Sequence, residues 1–286
     1  MTPALKTILQ QCGFADAEMQ SVAGGDINQA YKVQHKNSSF FLKVNDAVTY
    51  PLMFQREADG LEALKKNSDC IVPDVLQTGE AGGHQYLLLE WIERGSPANN
   101  YHSSLGKSLA AMHLQNAEQA GWSADNYIGS LPQRNTFTND WCSLYATHRI
   151  APLVKLLRDN GSFGNKEQQY AERLYTRLSQ YFPNEKHAFL HGDLWGGNHF
   201  PNENGLPVLI DPAVYYGHRE MDIGMTALFG GFDRAFYEAY NYYYPLESGW
   251  QQRLQLTQLY PLLVHAVLFN GHYVSKSASI LATFAA

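Results

Sequence analysis

The chain has few of the features that mark secreted, membrane-spanning or redox-active proteins. It contains only three cysteines in 286 residues, Cys12, Cys70 and Cys142. Their wide spacing lacks the CxxC pairs that are typical of zinc and redox sites. We therefore expect reduced thiols without a chemical role. No stretch of about 18 apolar residues occurs, and the amino terminus lacks a basic segment followed by an apolar run. These absences predict a cytoplasmic protein that has no membrane partner.

Charge is also sparse, and it has the wrong sign for a general nucleic-acid-binding protein. Charged residues make up 17% of the sequence, the formal net charge is −6, and no run of lysine or arginine occurs. Proteins that bind nucleic acids usually carry a basic stripe. We therefore predict a small-molecule partner and no nucleic acid. Hydrophobic residues make up 45% of the chain, which excludes a disordered protein, and 286 residues are enough for one large domain or two lobes around a cleft.

Strand-like runs are concentrated in the first third of the chain, and helical patterns dominate the remainder. After an opening helix, the runs INQAYKVQH and SSFFLKV predict a hairpin, PLMFQREADGLEALKKN an amphipathic helix, and PDVLQTG and HQYLLLEWIE two more strands. Beyond RGSPANN the pattern is helical as far as one long terminal helix, interrupted only by the strand-sized runs AFLHGD and LPVLIDP. We predict an α+β, bilobal fold with a small sheet-rich lobe, residues 1–92, and a larger mainly helical lobe, residues 93–286.

The segment HGDLWGGNHF, residues 191–200, is too rich in glycine for a helix interior and too polar for a buried strand. It contains the pattern H-x-D-x-x-x-x-N in His191, Asp193 and Asn198. A short strand, an Asn/Gly turn and a second strand then lead to Asp211. This hairpin should bring Asn198 and Asp211 together, and two such oxygen ligands suit a hard cation such as Mg²⁺.

Phosphoryl transfer from ATP would use all of these groups. It needs a carboxylate and an amide on Mg²⁺, here Asp211 and Asn198, and a separate carboxylate, here Asp193, that accepts the proton of the attacking hydroxyl. The catalytic loop of protein kinases has the same spacing. Such a site also needs a lysine on the third strand and a glutamate on the next helix, and Lys43 in FFLKV and Glu57 in FQREADGL occupy these places.

Two further segments are candidates for nucleotide contacts. In GGDIN, the residues Gly24, Gly25 and Asn28 lead into the first predicted strand, where a tight turn could cover phosphates. At the end of LLLEWIE, the backbone from Glu90 to Ile92 could hydrogen-bond an adenine ring. A P-loop is excluded for YHSSLGKS, because a tyrosine stands where the first glycine is required, and we expect plain helix there.

The strings LHGDLWGGN and IDPAVYYGHREMDIGMTALFGGF closely resemble the fructosamine kinase (ketosamine-3-kinase) family. This family is a branch of the protein-kinase-like fold that aminoglycoside and choline phosphotransferases share, and the resemblance extends over most of the chain. It implies a bilobal protein-kinase-like fold with ATP and Mg²⁺ as cofactors. It also implies phosphorylation of the 3-hydroxyl of ketoamines, such as fructosamines and ribulosamines, as free molecules or on glycated protein, which removes glycation.

Transferred residue by residue, the resemblance makes Asp193 the catalytic base and Asn198 and Asp211 the metal ligands. It makes Lys43 the phosphate-binding cation, paired with Glu57.

The resemblance also suggests positions around these residues that contact substrate or support the loop. Trp195 could present an apolar face to the ketoamine, and His265 in the carboxyl-terminal tail is a second candidate for substrate contact. We expect Asp222 to hold the catalytic-loop backbone and His191 to be structural. Asp26 stands where some members carry a cysteine, so redox control through that thiol is not expected.

Other functions remain open at this point. One is a metal-dependent hydrolase, which would use neither Lys43 nor Glu57 and whose ligands would be His191, Asp193, Asn198, His199 and Asp211. Another keeps the fold and changes the acceptor to a different sugar, choline or an aminoglycoside. A catalytically silent nucleotide-binding scaffold would usually lack one of the key residues. The sequence does not indicate the physiological acceptor or the oligomeric state.

Overall fold

The N-terminal third of the chain forms one antiparallel sheet with a helix against each face. In the computed structural model, which describes residues 2–22 and 28–286, its elements in chain order are α1 Pro3–Gln11, β1 Glu18–Ser21, β2 Gln29–His35, β3 Ser38–Asp46, α2 Met53–Asn67, β4 Val75–Ala81 and β5 His84–Glu90. The strand order is β1-β2-β3-β5-β4. Lys43 lies on the central strand β3, opposite Leu87 of β5. The two predicted pairs of strands are confirmed, but the short edge strand β1 was not predicted.

Alternation along β5 explains how the sheet is covered on both faces. Tyr86 and Leu88 belong to a buried cluster with Leu5 of α1, whereas Leu87 and Leu89 belong to a cluster with α2. Successive side chains of a strand point to opposite faces, so a strand covered by a helix on each side reads as a continuous apolar run. This accounts for the run YLLLE in the sequence.

The remainder of the chain is mainly helical. Its elements are α3 Tyr101–His113, β6 Asn116–Ala117, β7 Asn126–Ile128, β8 Leu131–Gln133, α4 Trp141–Leu144, a π-helical segment Tyr145–Ile150, α5 Ala151–Asp159, α6 Asn165–Tyr175, α7 Leu178–Tyr181, β9 His187–Leu190, β10 His199–Pro201, β11 Pro207–Leu209, β12 Tyr215–Gly217, α8 Glu220–Phe229, α9 Arg234–Tyr243, α10 Trp250–Phe269 and α11 His272–Ala285. The short strands form the small sheets β12-β9-β6, β10-β11 and β7-β8.

Two expectations about this region are wrong. The single long terminal helix is divided into α10 and α11, because Asn270 and Gly271 adopt the positive φ angles of 57° and 65°, which end a right-handed helix. The runs AFLHGD and LPVLIDP are also not the only strands, since β6, β7, β8 and β12 occur as well. By contrast, YHSSLGKS is helical as expected. Gly106 permits close packing there, because a Cβ atom at this position would lie 2.2 Å from the carbonyl oxygen of Phe236 on α9.

Helix α2 packs against both parts of the molecule. Its residues Phe54 and Leu61 share a buried cluster with Leu105 of α3, Phe189 of β9 and Phe236 of α9. The helix that carries Glu57 is therefore anchored to the helical part as well as to the sheet. The predicted α+β class, with a small sheet-rich part and a larger helical part, is confirmed. The exact boundary between residues 92 and 93 stays a prediction.

Within the described ranges, no helix is both long and apolar enough to cross a membrane.

Candidate active site

The loop between β9 and β10 is fixed from below by a carboxylate of α8. Asp222 accepts the backbone N–H groups of His191 at 2.8 Å and Gly192 at 3.0 Å, and its Oδ2 lies 3.2 Å from Nε2 of His113. Burial opposes the charged form, but His113 and the backbone donors lower the pKa of Asp222. Gly192 has a φ of 82°, and a Cβ atom there would lie 2.1 Å from the carbonyl oxygen of Ala213. The backbone that leads into Asp193 therefore has little freedom.

The two histidines of the loop point into the protein and not into the cleft. The fully buried His191 ring contacts the carbonyl oxygen of Ile210 through Nε2 at 3.0 Å, and its Nδ1 accepts the N–H of Asp193 at 3.3 Å. Nδ1 of His199 lies 2.8 Å from the Tyr101 hydroxyl. Burial lowers the pKa of both rings, in His199 to about 4. Both histidines serve the structure of the loop, so the geometry does not favour the metal-dependent hydrolase.

The hairpin of β10 and β11 brings Asn198 and Asp211 together as predicted. The N–H of Ile210 donates to the carbonyl oxygen of Asn198 at 3.1 Å, which closes the base of the hairpin. Nδ2 of Asn198 donates to the backbone oxygen of Asp193 at 2.8 Å and to its Oδ2 at 3.1 Å. The three polar residues of the loop and hairpin therefore meet at one point.

Lys43 connects the sheet to this point. Its Nζ donates to Oε1 of Glu57 at 2.7 Å and to Oδ1 of Asp211 at 2.9 Å, and its side chain is nearly buried. Burial alone would disfavour the ammonium, but the charges of Asp211 and Glu57 raise the pKa of Lys43 above its ordinary value. Lys43 is therefore a permanent cation. Asp211 has a φ of 54°, a conformation that costs free energy in a residue with a side chain and is often found at functional sites.

The carboxyl group of Asp193 has a pKa close to neutral pH. Burial, followed by the negative charge of Asp211, raises the pKa of Asp193 to about 7, against the effect of the hydrogen bond from Asn198. A group that accepts a proton at physiological pH works best when its pKa lies near the working pH. A cation bound at Asp211 would offset part of this rise, because it would neutralise the neighbouring charge.

The oxygen atoms around this point fit a hard divalent cation. Asn198 uses its amide nitrogen on Asp193, and Asp211 uses Oδ1 on Lys43. Within the part of the chain that the structure describes, Oδ1 of Asn198 and Oδ2 of Asp211 accept no side-chain or backbone hydrogen bond. Amide and carboxylate oxygens are the ligands that Mg²⁺ prefers. The assignment of Mg²⁺ and of these two ligands stays a prediction.

Two cavities meet at the cluster of Lys43, Asn198 and Asp211. The first, of about 290 Å³, is mostly apolar and lies between the sheet and the hairpin; it is lined by Phe41, Leu89, Glu90, Trp91, Ile92 and Phe200. Glu90 and Ile92, which the sequence predicts to contact adenine, line this apolar cavity, and that role stays a prediction. The second, of about 220 Å³, lies beside Asp193 and is lined by Asn28, Met53, Arg56, Tyr127 and Gly129. Trp195 lines both cavities.

Trp195 stands at the mouth of the cleft with 40% of its surface exposed. Its indole ring covers Gly197, where a Cβ atom would lie 2.4 Å from the ring, and contacts Phe229 edge to face at 6.2 Å. His265 lines neither cavity. Its Nδ1 contacts the carbonyl oxygen of Pro261 at 2.8 Å, and its ring lies 4.8 Å from Phe229. His265 is thus one aromatic ring away from Trp195.

The predicted phosphate-covering segment can be placed only in part. Gly24, Gly25 and Asp26 lie outside the described residues. Asn28 lines the cavity beside Asp193, and its Oδ1 accepts a hydrogen bond from Nδ2 of Asn45 at 2.9 Å.

The hairpin formed by β7 and β8, which borders the cavity beside Asp193, was not predicted from the sequence. Nδ2 of Asn126 donates to the carbonyl oxygen of Val214 at 3.0 Å, and the Tyr127 hydroxyl donates to the carbonyl oxygen of Pro51 at 3.0 Å. The contact with Val214 fixes the hairpin to the backbone that follows Asp211. The contact with Pro51 connects the hairpin to the N-terminal part of the chain. Arg56 was also missed, although it precedes Glu57 on α2.

The chain resembles curated proteins over nearly its full length. A family model described as fructosamine kinase matches residues 2–286. A probable ketoamine kinase of Enterococcus faecium is 39% identical over 265 residues, which cover 92% of this chain and 94% of that protein. A chloroplastic protein-ribulosamine 3-kinase of Arabidopsis thaliana is 39% identical over 91% of this chain and 80% of its own length.

Solved structures give the same result for the fold. A putative fructosamine-3-kinase from Haemophilus somnus superposes with a TM-score of 0.87 at 28% identity, covering 98% of this chain and 96% of that one. An aminoglycoside phosphotransferase, in a ternary complex with AMP-PNP and hygromycin B, has a TM-score of 0.65 at 13% identity, covering 99% of each chain, and shares the protein-kinase-like fold alone. With the lysine, glutamate, aspartates and asparagine of a kinase site in place, the chain belongs to the fructosamine kinase family.

Proposed function

We propose that this protein is an ATP-dependent kinase that phosphorylates the 3-hydroxyl of ketoamines, either fructosamines or ribulosamines. The observation that carries the proposal is the convergence of Lys43, Asp193, Asn198 and Asp211 at the junction of two cavities. Family membership and the names of the relatives support ketoamines as the acceptor class.

The apolar cavity binds the adenine, with the backbone from Glu90 to Ile92 as its hydrogen-bonding edge. Lys43 binds the phosphates as a charged donor, and Glu57 keeps its ammonium in position. Mg²⁺, held by Asn198 and Asp211, would neutralise negative charge on the phosphates. Orientation and electrostatic stabilisation of this kind account for most of the catalysis of phosphoryl transfer.

Asp193 accepts the proton of the acceptor hydroxyl while that oxygen bonds to the γ-phosphorus. The bond between the γ-phosphorus and the bridging oxygen breaks, and ADP leaves with the electron pair. Asn198 holds the Asp193 carboxylate through its amide nitrogen, so the base faces the incoming hydroxyl in one orientation. Trp195 packs against the apolar face of the sugar at the mouth of the cleft.

The test is a phosphorylation screen of the purified protein with ATP and Mg²⁺. The acceptors are a synthetic fructosamine, a ribulosamine, choline and an aminoglycoside, and the product on each is identified by NMR. We expect phosphate on the 3-oxygen of at least one ketoamine. Phosphate that appears only on choline or the aminoglycoside would overturn the proposal in favour of another acceptor of the same fold.

A further inference from the structure

A second basic side chain lies on the wall of the cavity beside Asp193. Arg56 of α2 lines this cavity together with Asp193, Tyr127 and Trp195. Lys43, which lies on the same wall, is already engaged by two carboxylates. Arg56 therefore introduces a separate positive charge that the proposed mechanism does not use.

The contacts of Arg56 leave most of its donors available. Its Nη1 lies 3.2 Å from Oδ2 of Asp59, one turn along the same helix, and the two side chains are 31% and 43% exposed. Nε2 of Gln55 also donates to Oδ1 of Asp59, at 3.0 Å. An exposed ion pair of this kind contributes little stability. Apart from Asp59, the Arg56 guanidinium has no hydrogen-bonding partner in residues 2–22 and 28–286, and a guanidinium can hold a planar oxyanion through two parallel hydrogen bonds.

The direction of phosphoryl transfer indicates what occupies this cavity. The attacking hydroxyl and the leaving ADP lie on opposite sides of the γ-phosphorus. Since the apolar cavity takes the adenine, the acceptor must approach from the cavity that contains Asp193 and Arg56. A group on the acceptor that reaches Arg56 should carry negative charge.

We propose that Arg56 binds an oxyanion at the acceptor end of the cleft, and that this oxyanion is the carboxylate of a ketoamine formed on a free α-amino acid. In such an adduct the carboxylate is attached to the carbon next to the ketoamine nitrogen. A ketoamine on the side chain of a protein lysine has no carboxylate in that place. Arg56 is thus a specificity-determining residue that favours free glycated amino acids, and this inference rests on the proposed ketoamine kinase function.

The test compares acceptors in pairs that differ only in this charge, namely the fructosamines of glycine and glycinamide and the ribulosamines of the same two amines. We expect kcat/KM of the wild-type protein to be about 10- to 100-fold higher for the carboxylate, the range for a hydrogen bond to a charged group. Arg56→Gln should bring the ratio close to unity while activity on the amide is kept. Asp59→Asn is the matched control, because it removes the ion pair but leaves Arg56 in place, and it should retain the preference.

Other results would contradict the proposal in distinguishable ways. Equal losses on both acceptors, with weaker binding of MgATP but not of MgADP in Arg56→Gln, would identify the oxyanion as the γ-phosphate and overturn the acceptor carboxylate. If Arg56→Gln keeps both the wild-type ratio of kcat/KM for the carboxylate and the amide and the wild-type activity on each, Arg56 does not bind an oxyanion. If the wild-type protein phosphorylates none of these fructosamines and ribulosamines, the proposed function fails.

Discussion

At the scale of single residues, the position of Asp193 gives the sharpest prediction. Asp193→Asn keeps the shape of the side chain but removes its capacity to accept a proton. We expect kcat to fall by at least about 10²-fold, the low end for the loss of general-base assistance. Because Asn198 can still donate to the amide oxygen, the KM for ATP should change little. Steady-state kinetics on the preferred ketoamine measures both constants, and full activity of the variant would contradict the role of Asp193 as the base.

Gly197 is a second residue with a specific consequence, because the Trp195 ring lies where its side chain would be. Gly197→Ala should displace the indole and weaken the acceptor contact. We expect the KM for the ketoamine to rise about 3- to 10-fold, as for the loss of an aromatic contact of about 0.5–1.5 kcal/mol. Trp195→Ala should cause the same rise in the KM for the ketoamine, and it leaves Gly197 and its backbone as they are. An unchanged ketoamine KM in both variants would place the acceptor away from Trp195.

The residues that the sequence could predict are those whose spacing along the chain is short or whose order is diagnostic. Asp193 and Asn198 share one loop, and Asp211 follows through a local hairpin, so their proximity can be read from the pattern. Lys43 and Glu57 could be assigned to the same site because they occur on the third strand and on the next helix, the order that a kinase site requires. The structure brings both to the same point. Their roles in catalysis stay predictions.

Arg56, Asn126 and Tyr127 could not be found in this way. Tertiary packing alone brings them to the cavity beside Asp193.

At the scale of elements, length determined what the sequence could predict. The strands β2 to β5 and the helix α2 are long enough for a clear period, and their predictions are confirmed. The strands β6, β7 and β8 have two or three residues each, too few for any alternation. Such strands form because a neighbouring backbone offers hydrogen bonds, which a local pattern does not reveal.

The hairpin of β7 and β8 is held more firmly to the C-terminal part of the chain than to the N-terminal part. Nδ2 of the buried Asn126 donates to Val214, and its Oδ1 accepts from Gln133 at 2.8 Å and Asn135 at 2.9 Å. The contact from Tyr127 to Pro51 is a single, exposed hydrogen bond. The hairpin should therefore remain attached to the C-terminal part even when its contact with the N-terminal part is lost.

Two variants of this hairpin test the asymmetry. Asn126→Leu should lower the free energy of unfolding by about 2–3 kcal/mol, because it leaves buried donors and an acceptor without partners. Tyr127→Phe should lower it by less than about 1 kcal/mol, since it removes one exposed bond. Urea unfolding of both variants and the wild type measures the difference. Equal losses would show that the contact with Pro51 is as important as the buried amide contacts.

At the scale of the whole molecule, buried imidazoles make stability depend on pH. Burial is the main cause that lowers the pKa of six histidines, which are His113, His148, His191, His199, His218 and His265. In the unfolded chain these groups titrate near their ordinary pKa of about 6.5. Below that pH the unfolded state therefore binds more protons than the folded state, and the folded state loses stability as the pH falls.

Two carboxyl groups act in the opposite direction. The pKa of Asp193 is raised to about 7, and burial also raises the pKa of Glu57. A group with a raised folded pKa stabilises the protein below its unfolded pKa, and this contribution is lost as the pH rises through the folded value. These two groups oppose the six histidines, Asp193 between about pH 4 and 7, so the net effect is smaller than the histidines alone would give.

The balance predicts acid destabilisation well before the ordinary carboxylates titrate. Near pH 5 the imidazoles with a lowered pKa outnumber the two carboxyls with a raised pKa, so unfolding should take up protons and the free energy of unfolding should fall as the pH falls; each proton of net uptake corresponds to about 1.4 kcal/mol per pH unit. Urea unfolding at about pH 7, 6 and 5 measures the slope. His199→Gln should make the slope shallower by about one proton, because the pKa of His199 is lowered to about 4 in the folded protein. Stability that stays constant or rises between about pH 7 and 5 would mean that the carboxyl groups outweigh the imidazoles.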